Sequence, residues 1–307
     1  MATIIENQQQ PEVRQLASGQ HPSRRGVRRN RERRNYRTRP TVTTIIPTLN
    51  EAANLPHVLD RLPSGVNELI VVDGHSTDST VAVARRLRPD VRVVLQGGRG
   101  KGNALACGFA AARGDILVMV DADGSTDPAE IPAYLRPLFH GADLVKGTRY
   151  GYGGGSEDLT RLRSAGNRAL SAAVNLLFGT QYTDLCYGYC AFWRRCLPQL
   201  QITCDGFEVE TVLNVRAAKA GLATVEVPSF ERARVSGVSN LNAWRDGLRV
   251  LGAIMRERVS SLPPPSYDWL PEYAELDPHA PHQVVPDRPA ARTEFLEVLA
   301  PPPRLSA

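Results

Sequence analysis

The chain has 307 residues, of which 42% are hydrophobic, with 37 Lys and Arg against 32 Asp and Glu for a formal net charge of +5. That is enough to bury a substantial core, yet no stretch reaches the ~18 consecutive apolar residues of a membrane span, and no signal-peptide core opens the chain, so any chemistry is expected on the cytosolic side. The five cysteines (Cys107, Cys186, Cys190, Cys196 and Cys204) contain no Cys-x-x-Cys pair, and His57, His75 and His140 lack metal-ligand spacing, which disfavours a disulfide framework and a zinc site.

Residues 1–40 read as a disordered basic arm, with nine arginines between Arg24 and Arg39 against the single Glu32. Such an arm is either plainly solvated or drawn to an anionic membrane surface, where each basic side chain contributes about 1 kcal/mol. Nothing supports a specific nucleic-acid partner: neither zinc ligands, nor an aromatic RNA-binding motif, nor a recognition helix accompanies the arginines.

From residue 41 onward, short β-branched apolar runs alternate with helical patterns. Strands are predicted at 42–46, 69–72, 91–95 and 116–120, each followed by a polar or Gly-rich loop, with helices at 81–87 and 103–112. Thr77 or Asp78 is the expected cap of the first helix, and Asp127 that of a helix opening at Pro128. The reading is an α/β domain over 41–258 with a mostly parallel sheet. Its loops emerge on one edge, where open sheets bind ligands. Asp121-Ala122-Asp123 ends the fourth run, so both carboxylates leave the strand on one side, and hard oxygens of that kind suit Mg²⁺ or Mn²⁺ bridging a diphosphate.

Further on, a strand at 143–146 precedes Arg149, and Arg161, Arg163 and Arg168 precede a predicted helix at 169–178. Glu208 and Glu210 open another helix. A last helix at 244–258 carries Trp244, Leu248, Leu251 and Met255 on one face, with Arg245, Arg249 and Arg256 on another. Core packing is the first reading of that stripe, and a membrane interface is the second. Residues 259–307 are Pro-rich and mildly acidic, and read as a disordered tail in which Tyr267, Trp269 and Leu270 dock locally.

Taken in order, Ile46-Pro47-Thr48-Leu49-Asn50-Glu51, Val71-Val72-Asp73-Gly74-His75-Ser76-Thr77-Asp78, Arg99-Gly100-Lys101-Gly102-Asn103, Val120-Asp121-Ala122-Asp123-Gly124 and Lys146-Gly147-Thr148-Arg149-Tyr150 resemble family 2 glycosyltransferases of GT-A fold. The similarity is greatest to the polyprenyl (dolichyl) phosphate sugar transferase branch. It implies an inverting hexose transfer from an NDP-sugar donor, GDP- or UDP-linked, to a polyprenyl phosphate or cell-surface glycan acceptor. By resemblance, Pro47, Leu49, Glu51, Asp73, Lys101, Asp121 and Ala122 hold the nucleotide sugar, and Asp123 binds the divalent cation. Where other members carry Gln two positions later, this chain has Ser125.

The resemblance further implies that Arg149, Arg163 and Arg168 meet an acceptor phosphate. Arg234 and Ser239 belong to an Arg-x-x-Gly-x-Ser loop that folds over the diphosphate, and Asp184 sits in the active site. A lipid phosphate arrives ionised and needs positioning, whereas a sugar hydroxyl needs a base, for which Asp184, Glu208 and Glu210 are candidates. The rival readings are a sugar nucleotidyltransferase, disfavoured because Pro47-Thr48-Leu49-Asn50-Glu51 replaces a Gly-rich opening loop, and a nucleotide-sugar or membrane-binding protein without turnover.

Overall fold

A computed structural model describes residues 14–15, 39–237 and 243–277. The strands are β1 (Arg14–Gln15), β2 (Val42–Thr48), β3 (Glu68–Asp73), β4 (Arg92–Gln96), β5 (Ile116–Met119), β6 (Leu144–Thr148), β7 (Gly155–Ser156), β8 (Cys190–Trp193), β9 (Thr224–Pro228), β10 (Phe230–Glu231) and β11 (Tyr273–Glu275). The helices are α1 (Leu55–Leu59), α2 (Thr80–Leu87), α3 (Gly100–Ala111), α4 (Ile131–Phe139), α5 (Arg161–Phe178), α6 (Leu197–Leu200), α7 (Val209–Lys219) and α8 (Ala243–Val259).

Nine strands form one sheet in the order β1-β9-β6-β8-β5-β2-β3-β4-β11. The run β5-β2-β3-β4 is parallel, with Ile45 opposite Met119 and Thr48 opposite Asp73. Successive strands β2, β3 and β4 advance to one side, and β5 then returns to the other side of β2. This reversal opens a crevice beyond the carboxyl ends of β2 and β5, where an open sheet accepts a ligand. The apolar runs explain the placement: Ile45, Ile46, Ile70, Val71, Val72, Val94, Leu117 and Val118 are buried, as strands covered on both faces must be. Antiparallel β8, between β5 and β6, extends the sheet, and β7 pairs in parallel with β10 beside it.

The described ends refine the sequence boundaries. The side chain of Asp127 accepts the Ala129 amide at 3.0 Å, capping the turn at Pro128–Glu130 as expected. The cap position of α2 is Ser79 in place of Thr77 or Asp78, although Asp78 Oδ1 still accepts the Thr80 amide. Helix α5 begins at Arg161, earlier than its apolar pattern indicates, because Thr160 caps it by accepting the Arg163 amide. The arginine cluster therefore lies inside the helix.

Two larger corrections concern the C-terminal region. The tail was expected to be disordered from 259 apart from local docking of Tyr267, Trp269 and Leu270; beyond that docking, β11 adds an antiparallel edge to β4. Arg92 holds it by pairing with Glu275 at 2.8 Å and with Glu68, while Trp269, Leu270 and Leu276 pack against the core. The stripe of α8 is the second. Val250, Ala253 and Ile254 form its buried face against α5 and α7, whereas Trp244, Leu248, Leu251, Met255 and Val259 are exposed. The first reading of that stripe as core is overturned. No helix among the described residues is long and apolar enough to cross a membrane. The five thiols are unbridged, and burial pushes those of Cys186, Cys190, Cys196 and Cys204 up to about 12.

Candidate active site

Loops from the carboxyl ends of β2, β4 and β5, together with α5, α7 and α8, enclose a cavity of about 1080 Å³. Pro47, Leu49, Glu51, Lys101, Asp121, Ala122 and Asp123 all line it, so the fold brings together residues spread over more than seventy positions. Asp73 lies just behind the wall at Gly74. It is 1% exposed, its Oδ2 accepts the Ser76 amide at 3.0 Å, and its Oδ1 is buried without a partner among the described residues. A buried acceptor left in that state is costly unless a ligand satisfies it.

Lys101 projects from the first turn of α3. Gly102 donates its amide to Asp205 O at 2.8 Å, and a Cβ on Gly100 (φ +87°) or Gly102 would run into the carbonyls of Asp205 and Cys204. These glycines permit a close backbone contact that fixes where the lysine stands. Its ammonium meets Asp121 Oδ1 at 2.6 Å and Glu210 Oε1 at 2.7 Å. Burial disfavours the charge, but the two carboxylates outweigh it and hold the Lys101 pKa above the ordinary lysine value. Glu210 is pushed upward by its own burial, against the pull of Lys101.

Across the cavity, Arg234 spans Glu51 at 3.1 Å and Asp123 at 3.4 Å. Its loop lies over the Asp123 segment, with Arg232 donating to Ser125 O at 2.8 Å and Val235 to Asp123 O at 3.2 Å. Ser239, predicted in the same loop, falls outside the described residues. Asp123 Oδ1 accepts the Ser125 amide at 3.0 Å, and its side chain is 22% exposed to the cavity. Among the described residues, no group of three His, Cys, Asp or Glu could close a cation shell. A single carboxylate at a cavity wall fits Mg²⁺ or Mn²⁺, because such ions keep several waters and take their remaining oxygens from phosphates.

Asp184 is placed otherwise than the sequence reading expected. It is 0% exposed and does not line the cavity; Oδ2 accepts the Arg149 amide at 3.0 Å and Nε at 2.8 Å, while Oδ1 accepts Arg149 Nη2 at 2.9 Å and Asn167 Nδ2 at 2.7 Å. Burial alone would raise its pKa, yet hydrogen bonds and charge from Arg149 win and hold it below the usual carboxylate range. Four donors occupy the carboxylate, which braces Arg149 in this arrangement. Arg149 does reach the cavity wall, but Glu231 takes its other edge at 3.0 Å and the Tyr187 ring lies 5.0 Å from its guanidinium carbon. Arg163 lines the cavity, paired with Asp158 at 2.9 Å, whereas Arg168 stands outside the wall over the Tyr150 ring. Sequence reading missed Glu231, Asn167 and Gly188. No spacing links Glu231 to Arg149 across 82 positions, and only the folded β7–β10 ribbon brings them together.

Comparison with known proteins agrees with this arrangement. Residues 43–200 match the family described as Glycosyl transferase family 2. The chain is 34% identical over 219 residues to a polyprenol monophosphomannose synthase of Mycolicibacterium smegmatis, covering 66% of this chain and 83% of that one. It is 35% identical over 213 residues to an undecaprenyl-phosphate mannosyltransferase of Micrococcus luteus, covering 66% and 87%, and 34% identical over 215 residues to Glycosyltransferase AglJ of Haloferax volcanii, covering 68% and 69%. Among solved structures, glucosyl-3-phosphoglycerate synthase from Mycobacterium tuberculosis, in complex with Mn²⁺, UDP and glucosyl-3-phosphoglycerate, superimposes with a TM-score of 0.58 at 28% identity, covering 71% of this chain and 80% of that one. With the parallel half-sheet, the reversal at β2 and β5 and the Asp121–Asp123 crevice in place, the chain belongs to glycosyl transferase family 2, as an enzyme of GT-A fold.

Proposed function

We propose that this enzyme transfers a hexose, with inversion, from an NDP-sugar to a polyprenyl phosphate, with Mg²⁺ or Mn²⁺ at Asp123. The observation that carries this reading is the state of the carboxylates. Every acidic side chain lining the cavity is ion-paired: Glu51 and Asp123 with Arg234, Asp121 and Glu210 with Lys101, Asp158 with Arg163, Glu231 with Arg149, and Asp246 with Arg249. A sugar hydroxyl would need an unengaged base to take its proton, whereas a phosphate oxygen is already ionised. The cavity mouth supports the same acceptor. Leu162, Leu170, Trp244, Leu248 and Leu251 line it beside Arg163, an apolar and cationic combination suited to a prenyl chain with an anionic head.

In this reading Pro47 and Leu49 offer the base an apolar edge, and Asp73 Oδ1 accepts a hydrogen bond from it. Asp121 accepts a ribose hydroxyl. The cation, when bound, neutralises charge on the leaving diphosphate. Arg234 keeps its hold on Glu51 and turns from Asp123 to phosphate oxygens, and its loop excludes water. Arg163 orients the acceptor phosphate, whose oxygen bonds to the anomeric carbon as the bond to the diphosphate breaks on the opposite face, with no proton transferred. The exposed stripe of α8 lies on an anionic membrane surface, where the acceptor is found, while the arginines between Arg24 and Arg37 fall outside the described residues. The relatives named for polyprenol and undecaprenyl phosphate lend support to this acceptor class.

The test is a panel of labelled GDP- and UDP-hexoses offered with polyprenyl phosphate or a glycan, with and without chelator. Label should enter the lipid, chelation should stop transfer, and Asp123→Ala should lower it at least about a hundredfold, as expected when a major electrostatic stabiliser is lost. Label entering only the glycan, or turnover undiminished by chelation, overturns the proposal.

A further inference from the structure

Glu210 is a buried acid facing a crevice whose donor, in the reading above, already has its carboxylates in Asp73, Asp121 and Asp123. Its side chain is 6% exposed, its Oε1 touches Lys101 at 2.7 Å, and the same ammonium holds Asp121 Oδ1 at 2.6 Å. One cation is therefore shared between two anions. Asp121 is the more exposed of the two, at 28%, and the ammonium meets its Oδ1. Gly188 closes the remaining side. A Cβ there would stand 2.9 Å from Lys101 Nζ, 3.0 Å from Glu210 Oε1 and 3.2 Å from Asp121 Oδ2, so any larger residue would press on all three charged heads at once.

We infer that Glu210 is a positioning residue for the donor subsite: by drawing Lys101 between two carboxylates, it keeps the second oxygen of Asp121 open and strongly accepting toward the ribose of the nucleotide. The inference rests on the assignment of Asp121 to the donor. With Glu210 neutral, the triad changes from a net −1 to zero, and Lys101 settles on Asp121 alone. The ammonium then competes with the ribose hydroxyl for the same carboxylate. With Glu210 charged, Lys101 is anchored from behind and its position is fixed by the first turn of α3, which Asp205 O holds through the Gly102 amide.

The experiment titrates the full-length protein with GDP and UDP and with their 2′,3′-dideoxy counterparts, comparing wild type, Glu210→Gln, Glu210→Asp and Gly188→Ala. Glu210→Gln should weaken binding of the preferred ribose-bearing nucleotide about tenfold, part of the value of a charged hydrogen bond, while leaving the dideoxy nucleotide within about twofold. Glu210→Asp should restore much of the difference, and Gly188→Ala, which wedges the triad apart without touching its charges, should reproduce the loss. In wild type the preference for ribose should fade as the pH drops through the raised pKa of Glu210; in Glu210→Gln it should be flat. Equal losses on both nucleotides, or no loss on either, overturn the role of Glu210. Failure of wild type to bind any of the nucleotides instead overturns the donor reading of the cavity, and the inference with it.

Discussion

Asp184→Ala tests the reassignment of that carboxylate from substrate contact to support. The substitution removes an acceptor of four hydrogen bonds and leaves Arg149, 5% exposed, facing only Glu231. Breaking a buried pair costs about 3–5 kcal/mol, and retention of Glu231 puts the expected loss near the lower end. For a domain of this size each kcal/mol moves the midpoint by roughly 2–4 °C, so thermal unfolding without ligand should drop by roughly 6–12 °C. Asp184→Asn, which keeps the shape, should fall between the two. The pH dependence follows from the depressed pKa. A carboxylate held below its unfolded value of about 3.9 contributes stability above that pH, and loses it as the pH falls through the folded value. The gap between wild type and Asp184→Asn should therefore stay level from about pH 5 upward and close below about pH 4. An Asp184→Ala protein that melts with wild type yet fails to transfer sugar would return the carboxylate to the chemistry and refute the reasoning.

Arg163→Ala should raise the KM for polyprenyl phosphate about tenfold, the loss of one charge-assisted contact, with nucleotide affinity unchanged; equal effects on both substrates would place Arg163 elsewhere in the reaction. Leu248→Glu puts a charge on the exposed stripe of α8, where Leu248 is 64% exposed. Cosedimentation with vesicles of anionic phospholipid should fall several-fold while the melting temperature holds, and undiminished sedimentation would remove α8 from the membrane surface.

Much of the fold is legible in the chain because its strands are buried on both faces. Continuous β-branched runs such as Ile70-Val71-Val72 and Leu117-Val118 have no other stable home, and the polar loops after them must share one edge of a parallel sheet. Pro47, Glu51, Lys101, Asp121 and Asp123 follow those runs and line one cavity, and the family resemblance names the same five. The edge strand β11 was not, because Tyr273-Ala274-Glu275 carries no strand signal of its own and forms against the open side of β4.

Partners were decided only by the tertiary structure. A sequence leaves the partners of Asp184, Arg149 and Glu210 open; the fold buries the first, pins the second between two acids, and sets the third behind Lys101. The stripe of α8 illustrates the same limit. Periodicity establishes that a helix has an apolar face, but which face meets the core depends on where α5 and α7 stand, and here Val250, Ala253 and Ile254 take that place. Local patterns depend on short-range geometry and burial, which the order of residues encodes directly. Ion pairing and the choice between core and surface depend on distances between segments far apart in the chain, and those exist only once it has folded.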